Sequence, residues 1–167
     1  IDPRGFTASR ARAYGEEGVT RASIGVQDFD PDVQKAIHRI QPFEMVARTV
    51  DSLRKNGVMP INFDLIYGLP HQTEQTIRQS VEATVKLDAT RVALFGYAHV
   101  PWMKKYQKAL ERQGLPDLRA RMRLAHARPF SANSPRGRLA HDRPFWRFAA
   151  KAACSYQAIR HASVLSR

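Results

Sequence analysis

Ile61-Asn62-Phe63-Asp64-Leu65-Ile66-Tyr67-Gly68-Leu69-Pro70 decides how the rest of the chain is read. The run from Ile61 to Tyr67 is apolar, β-branched and aromatic except for Asn62 and one acid, and it stops at a Gly and a Pro. That pattern predicts a buried strand over 61–67. Upstream, a helical stretch runs from about Pro42 to Lys55, with Phe43, Val46, Val50 and Leu53 on one face and Asn56-Gly57 at its end. Downstream, Thr73 opens a second helical run to about Leu87, with Ile77, Val81, Thr84 and Val85 on one side. Thr73 offers a hydroxyl cap, and Thr76 is not the acidic partner of a full capping box.

The alternation extends both ways. Arg21 to Gln27 reads as a strand, and Pro31 to Arg39 as a short helix capped by Asp30 with Pro31 in its first position. Arg91 to Ala98 reads as a third strand, followed by His99-Val100-Pro101-Trp102 and a helix over Met103–Gln113. Strands separated by helices of this length imply βαβ units and a parallel sheet, either about half of an α/β barrel or part of a doubly wound sheet. Both place function at the carboxyl ends of strands. Gln27, Asp64 and His99 are the polar residues in or just past those strands.

The length of 167 residues and an apolar fraction of 43% suit one globular domain. The net charge of +12 is unevenly spread. Residues 1–114 carry 16 basic and 13 acidic side chains, whereas residues 115–167 carry 11 and 2. The excess therefore belongs to the tail, which weakens a nucleic-acid reading of the whole chain. Past Gly114 neither a period of two nor one of 3.6 is sustained. Ala-His-Ala-Arg-Pro-Phe at 125–130 and Ala-His-Asp-Arg-Pro-Phe at 140–145 form a weak repeat. Residues 115–167 are thus expected to be a basic tail, poorly ordered or out of frame, after an α/β region over 1–114.

Cys154 stands alone, which excludes an internal disulfide and any cysteine-based zinc or iron–sulfur set. No apolar run reaches the ~20 residues of a membrane span. The start Ile1-Asp2-Pro3-Arg4 has no Met and no signal pattern, so the chain is expected to begin mid-protein or to follow processing, with a cytoplasmic location.

Residues 21–108 resemble the oxygen-independent coproporphyrinogen III oxidases. The resemblance is carried by Gly25-Val26-Gln27-Asp28-Phe29-Asp30, Val33-Gln34-Lys35-Ala36, Arg39-Ile40-Gln41, Asn62 to Pro70, Gln72-Thr73 and Tyr97-Ala98-His99-Val100-Pro101-Trp102. Ile1-Asp2-Pro3-Arg4 is similar to the segment after the family's third barrel strand. The resemblance implies a partial (β/α) barrel of the radical S-adenosylmethionine type, about half of it present, with residues 1–114 as its carboxyl-terminal half. It implies oxidative decarboxylation of two propionates of coproporphyrinogen III to vinyl groups, giving protoporphyrinogen IX in haem synthesis. It further implies a [4Fe–4S] cluster and two S-adenosylmethionine molecules per full-length enzyme, an electron donor, a monomer, and no specific nucleic acid or membrane partner.

Carried over residue by residue, Gln27, Arg39, Asp64 and Ala98 match positions that contact S-adenosylmethionine. Arg39 suits a carboxylate fork, Asp64 suits ribose hydroxyls or the ammonium, and Gln27 suits a neutral polar edge. Ala98 would present backbone and leave room. Structural roles compete: Arg39 opposes a helix dipole, and a buried Asp64 needs some partner in any fold. His99 reads as a loop residue and Trp102 as a hydrophobic edge. No catalytic residue and no metal ligand is assigned.

The family's three clustered cysteines, its Gly-rich segment and an acidic residue fall ahead of Ile1, and its carboxyl-terminal domain is missing or replaced. The chain alone is therefore expected to be inactive and poorly soluble, with strand edges uncovered. A related haem-chaperone group shares Asp-Leu-Ile-Tyr-Gly-Leu-Pro; Asp28 and the Tyr97–Trp102 segment favour the oxidase. A non-enzymatic truncated product or basic interaction module is the alternative of another class.

Overall fold

A computed structural model describes residues 1–127. After a 3₁₀ turn at Pro3–Gly5 come α1 (Ala8–Glu16), β1 (Ala22–Gln27), α2 (Pro31–Ala36), α3 (Phe43–Lys55), β2 (Ile61–Tyr67), α4 (Glu74–Lys86) and β3 (Arg91–Gly96). A second 3₁₀ turn (Lys105–Gln107), α5 (Lys108–Glu111) and α6 (Leu118–His126) follow. The three strands form one parallel sheet in the order β1-β2-β3.

Each crossover steps one strand in the same direction, and right-handed crossovers then put α3 and α4 on the same face of the sheet, as in a barrel wall or in one half of a doubly wound sheet. Burial agrees with helices on one face. Ile24, Val26, Ile61, Phe63 and Leu65 are buried on one side of the sheet, and Val46, Val50 and Leu53 of α3 and Ile77 and Val81 of α4 are buried as well. Each fully buried large side chain contributes about 1.5–3 kcal/mol by transfer. The alternate residues Ser23, Gly25, Asn62 and Asp64 are half-buried on the opposite, inner face.

Ile1 sits beside β1. Its amino group donates to the Ser23 carbonyl at 2.7 Å, and the Gly25 N–H donates to its carbonyl at 3.0 Å. This is one rung of a parallel ladder.

Several boundaries differ from the sequence expectation. α1 was not anticipated; it buries only Ala11 and so shows no apolar stripe. It packs against α3 through Gly15, where a Cβ would stand 2.3 Å from the Asn56 carbonyl oxygen. The helix expected to reach Arg39 stops at Ala36, because His38 takes a positive φ of 54°. β3 stops at Gly96, two residues early. The helix expected over Met103–Gln113 is only the 3₁₀ turn and α5. Thr73 and Thr76 do form a capping box, each hydroxyl accepting the other residue's backbone N–H, so a hydroxyl serves where an acid was required.

The largest departure is α6, inside the stretch read as a patternless tail. Asp117 caps it by accepting the Ala120 N–H at 2.6 Å, and Leu124 packs with Ala127 and Ile77 against Tyr67. The tail expectation for 128–167 lies outside the described residues. Among the described residues no helix is long and apolar enough to cross a membrane.

Candidate functional site

The inner face is polar at one place, where β1 and β2 approach their carboxyl ends. Gly25 pairs with Asp64, and the register then slips by one, so that Gln27 pairs with Leu65. The alternation of β1 puts Gln27 with Ser23 and Gly25 on the inner face, although its paired residue Leu65 faces the apolar side. At the slip Gln27 adopts φ 73°, a left-handed backbone costing about 1–2 kcal/mol for a non-glycine residue. Its side chain thereby turns back over Gly25. A Cβ at position 25 would stand 2.9 Å from the Gln27 Nε2. Gly25 is the space this arrangement needs.

Arg39 reaches the same place from the loop after α2. Its Nη2 donates to the Gly25 carbonyl at 2.9 Å and lies 3.5 Å from Asp2 Oδ2. Its Nε is buried without a hydrogen-bond partner. Burial pulls the Arg39 pKa below its ordinary value, opposed by Asp2. Asp2 is gripped by Arg4, which donates from Nη2 at 2.6 Å and from Nε, and this holds the Asp2 carboxyl down at about 2. Gln41 is fully buried; its Nε2 donates to Asp2 at 3.3 Å, and its Oε1 has no partner.

On β2, Asp64 accepts the Ser23 hydroxyl at 2.8 Å on Oδ2. A hydroxyl, not a cation, is thus the partner its position demanded. Gln27, Arg39 and Asp64 converge around Gly25.

Ala98 does not join them. The register sets Asp64 opposite Ala93, so β3 runs three further residues, roughly 10 Å, before it ends. Ala98 lies beyond that, in a segment pinned by residues after it. Gln107 donates to the Ala98 carbonyl at 3.1 Å and accepts the Val100 N–H at 2.6 Å. Arg121 of α6 donates to the Tyr97 carbonyl at 2.7 Å. His99 Nε2 is 2.7 Å from Glu111 Oε1.

The sequence reading missed Asp2, Ser23, Gly25, Gln41, Gln107 and Arg121 as members or supports of this rim. Ser23 had a signal, being the polar residue at i−2 from Gly25 on the same strand face; Arg121 had none. An open depression lined by Asp30, Asp32, Lys35, His71, Thr76 and Gln113 includes none of the predicted contacts.

The leftover groups have a definite chemistry. A buried guanidinium N–H without an acceptor, a carboxylate held on one oxygen and a primary amide suit a ligand carrying an amino-acid carboxylate, hydroxyls and a positive charge. S-adenosylmethionine has all three. An iron–sulfur cluster does not fit: it needs several thiolates, the sequence has one cysteine, and the described residues contain no group of three or more His, Cys, Asp or Glu able to hold a metal.

Residues 1–84 match the radical SAM superfamily. The chain is 51% identical over 124 residues to the oxygen-independent coproporphyrinogen III oxidase of Helicobacter pylori, covering 74% of this chain and 27% of that protein. The enzyme of the same name from Paracoccus denitrificans is 50% identical over 124 residues, covering 74% and 28%. The chain thus spans little more than a quarter of the length of these curated relatives. The structure of the coproporphyrinogen III oxidase HemN of Escherichia coli, a radical SAM enzyme, superposes with a TM-score of 0.71 at 31% identity, over 75% of this chain and 29% of that one. The sheet of three parallel strands with one-sided helices is accordingly part of that barrel, and the chain belongs to the radical SAM superfamily.

Proposed function

We propose that this chain is the S-adenosylmethionine-binding wall of an oxygen-independent coproporphyrinogen III oxidase, the enzyme that converts two propionates of coproporphyrinogen III to vinyl groups. The observation that carries this reading is identity of about one half, over 124 residues, to curated proteins of that name. When bound, S-adenosylmethionine supplies the deoxyadenosyl group that, as a radical, takes hydrogen from the propionate.

This chain's residues bind and orient. Arg39 offers its vacant Nε–H to the methionyl carboxylate, while its Nη2 stays on the Gly25 carbonyl. Asp64 keeps Ser23 on one oxygen and offers the other to a ribose hydroxyl or the ammonium. Gln27 meets a neutral polar edge, and the segment around Ala98 closes the far side. The cluster's thiolates are not among these residues, so the isolated chain is inactive in this reading. An electron donor, a monomeric full-length enzyme and a cytoplasmic location belong to the same reading.

A chimera tests it. Residues 1–127 replace the matching segment of the H. pylori relative, and conversion of coproporphyrinogen to protoporphyrinogen is assayed anaerobically. Turnover is expected, with loss of at least about tenfold in Asp64→Asn, the scale of one charge-assisted hydrogen bond. A folded, cluster-loaded chimera without turnover rejects the reading. Haem binding in its place would favour the haem-chaperone relatives.

A further inference from the structure

Behind the rim lies a buried hydrogen-bond knot that none of the proposed ligand contacts uses. Asp28 follows Gln27 directly and is completely buried. Its Oδ1 accepts the Ser80 hydroxyl of α4 at 2.6 Å and the Asp30 N–H at 2.8 Å; its Oδ2 accepts Gln72 Nε2 at 2.5 Å. Its backbone carbonyl accepts Gln34 Nε2 of α2 at 2.8 Å. One residue therefore ties the end of β1 to α2, to α4 and to the loop after β2.

The knot requires a carboxylate. Gln72 cannot rotate its amide, because its Oε1 accepts the Leu69 N–H at 2.8 Å and its Nε2 also donates to the Ile66 carbonyl at 2.7 Å. Ser80 accepts the Phe29 N–H at 3.0 Å, which directs its own proton to Asp28. Both Asp28 oxygens thus face donors. An Asn would turn an NH₂ against either Gln72 or the Ser80 and Asp30 pair. Every one of these donors is uncharged, so the acid is buried without a hydrogen-bonded cation. Desolvation is the largest influence on its pKa and raises it, against the pull of the donors. A fold that needed only a packed junction here would be served better by an apolar residue. Such a costly group marks a place where position matters more than stability.

What it positions is its neighbour. Gln27 is held in a left-handed backbone after a register slip, and its amide lies over Gly25. With the next residue anchored at four points, that conformation has no room to relax. We propose that Asp28 is a positioning residue that locks Gln27 over the inner face, so that its amide is preset for the bound S-adenosylmethionine. This rests on the reading of Gln27 as a ligand contact and extends it to the residue that makes the contact possible.

The test uses the full chain and titration with S-adenosylmethionine, followed by NMR so that millimolar dissociation constants are measurable. Gln27→Ala, Asp28→Asn, the double variant and the core control Val81→Ala are compared, with thermal unfolding of each. Asp28→Asn is expected to weaken binding about tenfold, and the double variant to bind no more weakly than Gln27→Ala alone, as for two residues acting through one contact. Val81→Ala is expected to lower Tm without changing affinity. Additive effects of the two single variants, or equal affinity losses in Asp28→Asn and Val81→Ala, overturn the inference. If Asp28→Asn fails to fold, Ser80→Ala removes one donor; about a threefold loss that vanishes on the Gln27→Ala background supports the inference, and an unchanged or additive effect overturns it. Unchanged affinity in Gln27→Ala rejects the ligand contact itself, and no saturable binding by the wild-type chain rejects the site.

Discussion

β2 and β3 run side by side in the same direction, paired from Asn62 with Arg91 to Tyr67 with Gly96, yet they are unlike in burial. β2 is central, and Ile61, Phe63 and Leu65 are at most 1% exposed. Among the described residues β3 is an edge with no fully buried residue, and Phe95 is 47% exposed. Hydrogen-bonded pairing alone therefore does not make a strand part of the core; cover on the helix face does. The same contrast holds for the site. The β1–β2 side brings Gln27, Arg39 and Asp64 together from residues packed by α3 and α4. The β3 side reaches Ala98 only through a segment pinned by Gln107 and Arg121.

The sharpest way to break that comparison is to cut one side chain from each strand. Phe63→Ala should cost about 3–5 kcal/mol, because a fully buried ring leaves a cavity that rigid neighbours cannot fill. Leu94→Ala, at a half-buried edge position, should cost about 1 kcal/mol or less. Urea unfolding followed by circular dichroism measures both. Equal losses would mean that β3 is covered as well as β2 is.

The junction between the two strand ends gives the next largest effect. Gly68 follows β2 with φ 89°, and a Cβ there would lie 3.2 Å from Arg121 Nε and 3.7 Å from Tyr97 Cβ. Gly68→Ala should cost about 1–2 kcal/mol from the left-handed backbone alone. Displacing Arg121 should also free the Tyr97 carbonyl and loosen the segment that leads to Ala98. Hydrogen exchange at Tyr97 to Val100 reads this: faster exchange there, with Asp64 neighbours unchanged, keeps the two sides distinct. Faster exchange on both sides would join them.

How far all this could be read from sequence follows the same division. β2 was legible because its buried face and its stop signals sit in one run, Ile61 to Pro70. α3 and α4 were legible because Val46, Val50 and Leu53, and Ile77 and Val81, repeat at helical spacing. α6 was not, because Leu118 and Met122 stay exposed while Leu124 alone is buried, so its apolar residues do not mark the packed face. Gln27 and Asp64 were legible as polar residues on strands with family-like flanks. The anchoring of Asp28 on Gln72 and Ser80 spans 44 and 52 residues of chain, and the slip at Gln27 is set against β2, so no local spacing reports either. The same holds for Arg121 on the Tyr97 carbonyl. Ala98 was expected only by resemblance, since a methyl group carries no chemistry to argue from.

The smallest effect separates two acids on the site side by sign. Asp2 is held at about 2, below its ordinary 3.8, chiefly by hydrogen bonds from Arg4. A depressed carboxyl stabilises the fold above its unfolded pKa, and that contribution disappears as pH falls from about 4 towards 2. The Asp2 side chain is 41% exposed, so screening keeps the effect under about 1 kcal/mol. Asp28 shifts the other way: burial raises its pKa, against the pull of the Ser80, Asp30 and Gln72 donors. Unfolding free energies of wild type and Asp2→Asn, measured in urea from pH 6 to pH 2, should differ at pH 6 and converge on the acid side. A difference that stays constant over that range would assign the Arg4–Asp2 grip to geometry alone, with no charge linkage to the fold.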